Sequence, residues 1–469
     1  MKIVLSKLFF ISGVLLTIYF ALNLWTASGS EFHQDEYQHV HVAWNTLNGQ
    51  KLYQDFFETH GPISAWTFSS LLKLHGEPIA SPESILFLRK ITVSTVFLSG
   101  LLMFFCLRLF VSHLTLSVLA TSLFLGGITM QVTAFRIRPD IFVQLFFILS
   151  LILWVKRYRF LCGIALGLAF GFNPKFLPLN LTLLVADIFI CRDLKTDKKK
   201  FLASIAGELL VLAGLGLTLQ LTGIFGPAMD SLFRHNFSAT FSRLTTTGHY
   251  PFQLFKCFLE LDKALLAFTI VGAIGISFFL WKKRSSLEAN LKMLIALVFC
   301  SLVLLVAPLW HHSLILTVPV FILAITYVAE KLSPDSTLTE GVYWIMALLT
   351  LYSGYKELPK YTANLSPNFD SLKKVLAETD RSQPIFYVWP SRCPAYVFNS
   401  DDNKYWLHDF KVAEVSPGTN TNRFTNPAIL WVAVDSNIFS FLNPDEKNTL
   451  ETEFQSFGCL WKRIPKTLK

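Results

Sequence analysis

Residues 31–66 read EFHQDEYQHVHVAWNTLNGQKLYQDFFETHGPISAW. Carboxylates, histidines and aromatic rings crowd together here, directly behind an apolar segment. The surrounding chain has 469 residues, 52% of them hydrophobic and 16% charged, with mean hydropathy +0.47. A soluble protein would carry about a quarter charged residues. Several apolar runs approach or exceed the roughly 18–20 residues that cross a bilayer as a helix, so the chain reads as a polytopic membrane protein. A dense polar stretch in such a setting reads as an active site lying on a membrane surface.

Within the stretch, Tyr37, Val40, Trp44 and Leu47 recur at three- and four-residue spacing and Gly49 offers a stop, which predicts a helix after His33. It is too short to span, so it is expected along the interface with Tyr37 and Trp44 at headgroup depth. A second surface helix is expected from Pro62, through Trp66 and Leu71. Asp35 and Glu36 fall in the first turn of the first helix. Asp35 with Gln38 makes a variant capping box, and a carboxylate held ionised at a helix N-terminus also suits a general base. The two roles are compatible. Asp55, Glu58 and His60 follow in the same loop; each alone would pass for a solvated loop charge.

Eleven apolar helices are expected, at 4–25, 85–109, 114–134, 140–156, 160–172, 175–191, 201–224, 263–281, 290–309, 312–330 and 340–355. The first follows Lys2 and Lys7 in the manner of a secretory leader, and is read as an uncleaved span. The short pair meeting at GFNPKF leaves open whether both cross. With the N-terminus in the cytoplasm, the basic clusters KRYR (156–159), RDLKTDKKK (192–200) and KKR (282–284) all fall on the inner side. The outer side then receives the loops 26–84 and 225–262, the FRIRPD and WHH connections, and the tail. The expected organisation is a transmembrane catalytic region, 1–356, and a small extracytoplasmic domain, 357–469. In the tail PIFYVW (384–389) and AILWVAV (428–434) are strand-like, while SLKKVLAET and PDEKNTLETEF are helical, so mixed α/β is expected there.

The net charge of +9 lies in clusters between apolar runs, which argues for topology signals and against nucleic acid. No zinc pair, P-loop or dinucleotide glycine pattern is present in the sequence. Of seven cysteines, Cys106, Cys162, Cys191 and Cys300 lie in or beside spans, whereas Cys393 and Cys459 can pair if the tail faces an oxidising compartment.

The stretch 35–66 resembles the first external loop of GT-C class membrane glycosyltransferases. The similar bacterial branch contains lipid A aminoarabinose transferases, lipopolysaccharide galacturonosyltransferases and protein O-mannosyltransferases. The matching pattern is an Asp-Glu pair after the first span, then Gly49-x-x-x-Tyr53-x-Asp55, then Glu58-x-His60-x-Pro62. RPD (138–140) at the head of the fourth span also matches, and the outline covers the transmembrane region. The resemblance implies an undecaprenyl- or dolichyl-type phosphate sugar as donor and inversion at the anomeric carbon. It further implies that Asp35 takes the acceptor proton, that Glu36 holds acceptor or sugar, and that Glu58 orients sugar hydroxyls or neighbouring cations. His60 stands where relatives have a phosphate-contacting lysine, and WHHS where many have an arginine. Donor phosphate is therefore expected on Arg136, Arg138 or Lys175, with membrane-headgroup contact as the alternative for the arginines.

Asp140 is expected to pair with Arg138 or Arg136 or to cap its helix. His311 and His312 are expected as interface anchors or acid–base groups. No cofactor is expected. A divalent ion on Asp35, Glu36 and Glu58 is disfavoured. Acceptors in this class are lipid A or lipopolysaccharide, cell-surface glycan or protein, and the multi-pass chain would sit in the inner or plasma membrane. The competing class, a flippase of lipid-linked sugars, would call for midplane ionisable groups and internal repeats. Neither the sugar nor the acceptor is legible.

Overall fold

The computed structural model describes residues 2–56, 58–190, 194–235, 293–298, 300–301, 314–332, 336–361, 370, 372–374, 385–387, 397, 431–434, 442, 444–457 and 459–464. The helices follow in chain order: α1 (Lys2–Ala27), α2 (Gln34–Leu47), α3 (Pro62–His75), α4 (Pro82–Phe110), α5 (Leu114–Gly126), α6 (Ile128–Thr133), α7 (Pro139–Val155) and α8 (Arg159–Phe172). A 3-10 turn (Pro174–Phe176) leads into α9 (Leu177–Ile190), α10 (Leu194–Leu221) and α11 (Phe225–Met229), and later come α12 (Leu314–Leu332) and α13 (Ser336–Tyr361). All the expected spans fall on these helices except 263–281, outside the described residues, and 290–309, described only in part. Four helical stretches, Lys2–Ala27, Pro82–Phe110, Lys199–Leu221 and Ile315–Leu332, are long and apolar enough to cross a membrane. Large apolar side chains stand exposed along α1, α4, α10 and α13, as on helices that face lipid. The protein is a multi-pass membrane protein.

The chain divides into two compact units. The first comprises Met1–Ser30, Arg89–Leu215 and Gly248–Ala363. In it α1 packs on α5, α7 on α8, and α12 and α13 on α5. The expected span 114–134 is broken into α5 and α6 at Gly127. A side chain at Gly126 would collide with the Phe20 ring. The Gln131 amide donates at 2.7 Å to Leu125 O, a carbonyl beside the break, and at 3.2 Å to Phe20 O of α1. α8 and α10 approach backbone to backbone, since a Cβ at Gly163 would strike Ser204 O and one at Gly207 would strike Phe160 O. Small residues at such crossings are the ordinary way for helices to pack in lipid. Asn180 on α9 ties the same group together, donating to Leu166 O and to Glu208 Oε1, both at 3.0 Å.

The second unit comprises Glu31–Leu88, Gly216–Thr247 and Asn364–Lys469. Its apolar core joins Val42, Leu52, Tyr53, Phe56 and Ala65 to Leu219, Ile224, Ala228 and Leu232. The tail carries β1 (Ile385–Tyr387), β2 (Trp431–Ala433), α14 (Pro444–Glu453), β3 (Phe454–Phe457) and β4 (Leu460–Arg463). They make a four-stranded sheet of order β1-β2-β4-β3, with β1 and β2 parallel and the other pairs antiparallel. The helix expected at 371–379 is described only at 372–374. Cys459 is disulfide-bonded; Cys393 lies outside the described residues.

Candidate active site

The first turn of α2 is capped differently from expectation. His33 is the N-cap in extended conformation, and Glu36 at the third helical position closes the capping box. His33 N donates to Glu36 Oε2 at 2.8 Å, and Asp35 N donates to His33 Nδ1 at 3.3 Å. The Asp35–Gln38 box is therefore replaced by a His33–Glu36 box, with Glu36 wholly buried. That arrangement releases the Asp35 carboxylate from capping. It remains partly exposed, with Oδ2 3.6 Å from His33 Nδ1.

α2 is largely enclosed by protein. Residues 36–43 are all buried, and Tyr37 packs edge-on against Phe32 at 6.0 Å. α3 covers one flank, while His41 Nδ1 lies 3.4 Å from Val397 O of the tail and Asn45 Nδ2 lies 3.0 Å from His41 Nε2. Protein therefore covers much of the helix.

The loop after α2 turns at Gly49 (φ +83), a conformation glycine adopts without steric cost. Tyr53 also has positive φ, +65, which costs a side chain energy. Its ring enters the core of the second unit, and its hydroxyl donates to His60 O at 2.6 Å. Asp55 Oδ2 accepts from Lys51 N at 2.7 Å, so this carboxylate serves the turn.

Glu58 is 1% exposed. Its Oε1 accepts from Thr59 N at 2.7 Å and His60 N at 2.8 Å, and lies 2.5 Å from His60 Nδ1. Burial pushes the Glu58 carboxyl up. The charge and hydrogen bonds of His60, with the charge of His39, outweigh it and bring the pKa to about 2. The group is therefore an anion at any working pH. His39, one helical turn beyond Asp35, sets its ring 4.8 Å from that of His60.

In the first unit three arginines are internal. Arg136 and Arg138 are 9% and 3% exposed, which removes headgroup snorkelling as their role. Arg89, wholly buried on α4, donates to the carbonyls of Ser28 and Ser30 at the end of α1. Arg89 and Arg136 both lie over the Phe135 ring, at 5.5 and 5.6 Å from its centroid. Cations at that distance are held by the ring quadrupole.

Arg138 is the N-cap of α7, Pro139 its first residue and Asp140 its second. Asp140 pairs with neither arginine. Its Oδ1 accepts from Asn173 Nδ2 at 2.8 Å, and its buried Oδ2 has no hydrogen-bond partner among the described residues. Asn173 in turn caps the 3-10 turn, accepting from Lys175 N at 3.1 Å. Asp140 thus fixes the turn that presents Lys175, which is partly exposed.

The structure joins Glu58 to His60, sets Asp35 and Glu36 in one helical turn, and links Asp140 to the Lys175 turn. His311 and His312 lie outside the described residues. Sequence reasoning missed His39, Arg89 and Asn173, and gave Tyr53 a place in a motif without a role. The four-residue interval from Asp35 to His39 was the one available signal for His39, because it places both on one helix face.

No family model matches the chain, and no curated protein does. Solved structures do. ArnT from Cupriavidus metallidurans bound to undecaprenyl phosphate superposes with TM-score 0.61 at 11% identity, over 97% of this chain and 98% of that one. The oligosaccharyltransferase of Archaeoglobus fulgidus superposes with TM-score 0.50 at 12% identity, over 98% of this chain and 74% of that one. The chain has the fold of the GT-C membrane glycosyltransferases.

Proposed function

We propose that the protein is an inverting glycosyltransferase that moves a sugar from a polyprenyl-phosphate donor to an extracytoplasmic acceptor: lipid A or lipopolysaccharide, a surface glycan, or a protein. The observation that carries this reading is the end-to-end superposition on a protein solved with undecaprenyl phosphate. Buried ionisable groups at α2, the Glu58 loop and the head of α7 support it, because an apolar protein retains such groups at a cost.

In this reading the acceptor hydroxyl attacks the anomeric carbon from the face opposite the phosphate. The new C–O bond forms as the bond to the phosphate oxygen breaks, and the phosphate leaves with the electron pair. Asp35, the partly exposed acid of its turn, receives the hydroxyl proton. Its ordinary pKa near 4 suffices when the proton departs late, after bonding to carbon has made the oxygen acidic. Glu36 holds the turn that presents Asp35. Glu58 fixes His60 and orients polar groups of the sugar. Arg136, Arg138 and Lys175 meet the growing charge on the departing phosphate, where one well-placed donor is worth about 3 kcal/mol. The active site and tail face outward, with the N-terminus in the cytoplasm of an inner or plasma membrane.

The test uses the purified full chain in lipid nanodiscs with undecaprenyl-phosphate-linked sugars and candidate acceptors. Release of undecaprenyl phosphate that depends on acceptor, with an inverted anomeric centre in the product, is expected. Acceptor-dependent transfer with retained configuration would refute the mechanism.

A further inference from the structure

We propose that His39, Glu58 and His60 form a binding site for a divalent transition-metal ion of the zinc class. The inference stands on these side chains alone and does not depend on the transferase reading. One ligand atom from each residue lies within 4.8 Å of the other two. Zinc bonds to nitrogen and oxygen are about 2.0–2.2 Å long, so tetrahedral ligand atoms stand about 3.3 Å apart. Small side-chain rotations close that difference.

Glu58 and His39 are 1% and 4% exposed, and His60 is mostly buried. Two imidazoles and one carboxylate are a donor set that suits zinc and leaves a fourth position open. The support behind the ligands is already built. Backbone amides of Thr59 and His60 hold Glu58 Oε1. The Tyr53 hydroxyl holds the His60 carbonyl. His39 comes from a rigid helix. The 2.5 Å contact between His60 Nδ1 and Glu58 Oε1 is too short for both atoms to bind one ion. Coordination therefore takes the place of this hydrogen bond: the His60 ring turns until one of its nitrogens, deprotonated, and one Glu58 oxygen stand at ligand spacing around the ion.

Untagged full-length protein, stripped with chelator in detergent, is titrated with zinc(II) and with cobalt(II), reading bound metal by elemental mass spectrometry and the cobalt site by visible absorption. One ion per chain is expected, with the intense visible bands of four-coordinate cobalt. His39→Ala and Glu58→Gln should each remove stoichiometric binding and the zinc-dependent rise in melting temperature. His60→Cys should keep cobalt and gain a sulfur-to-cobalt charge-transfer band, which reports on the site even if another variant fails to fold. Substoichiometric binding by the wild type would overturn the proposal. So would binding unchanged in the His39 and Glu58 variants, or cobalt bound by His60→Cys without the new band.

Discussion

Glu36 separates two uses of a carboxylate in the first turn of α2. Because its side chain closes the capping box with His33, Glu36→Gln, which retains an acceptor at that position, should melt close to wild type. Glu36→Ala should lose about 1 kcal/mol, the ordinary worth of a cap. Equal melting of the two variants would refute the capping role. Arg138→Met poses the complementary question about cations. It should lower kcat/KM for transfer by about a hundredfold, as loss of one charge-stabilising donor does. An unchanged value would remove Arg138 from the phosphate site. These positions also show what single residues reveal in a sequence. Asp35, Glu58 and the arginines stood out because charge is rare in an apolar chain. Arg89 and Asn173 did not, because their work is to bond backbone and carboxylate groups far away in the chain.

At the scale of elements, periodicity predicted α2 and α3 with ends close to those observed, because Gly49 and Pro62 punctuate the chain strongly. It did not show that α2 would be enclosed by protein. An amphipathic helix looks the same in sequence whether lipid headgroups or a neighbouring domain cover its face, and α2 is covered by α3 and the tail. The strands β3 and β4 escaped notice because each is four residues long and follows directly on the helical pattern of α14.

Two predictions belong here. Gly163→Val should destabilise the protein or prevent its insertion, since a side chain there meets the backbone of α10 at Ser204 and overpacking costs about 1–3 kcal/mol. Normal accumulation and melting of that variant would contradict the close crossing. The Asp140–Asn173 bond should act on donor binding through the Lys175 turn. Asp140→Leu should raise the donor KM, and Asp140→Asn, which can still accept from Asn173, should largely restore it. Equal effects of the two substitutions would mean that the charge of Asp140, and not its hydrogen bond, is used.

For the whole molecule, composition and charge clusters were enough to predict a polytopic membrane protein, and the loop motif was enough to suggest its fold. The fold superposes at 11% identity on its solved neighbour. Hydropathy and a handful of loop residues can survive where most identities do not. Sugar and acceptor specificity were not legible, since they depend on which side chains the fold gathers around the substrate rather than on any local pattern. The expected orientation is open to direct check. A periplasmically active reporter enzyme fused after residue 361 should be active, and one fused after residue 158 inactive. The reverse pattern would place the site on the wrong side for an extracytoplasmic acceptor.

The proposed transfer depends on Asp35 as the group that takes the acceptor proton. The most direct measurement is mass spectrometry of surface glycolipids, glycans and proteins from a deletion strain carrying either wild-type protein or Asp35→Asn at equal membrane abundance. Wild type should restore one sugar-bearing product, and Asp35→Asn should leave it reduced by about 10²–10⁴-fold, the usual contribution of a positioned proton acceptor. Full restoration by Asp35→Asn would contradict the mechanism.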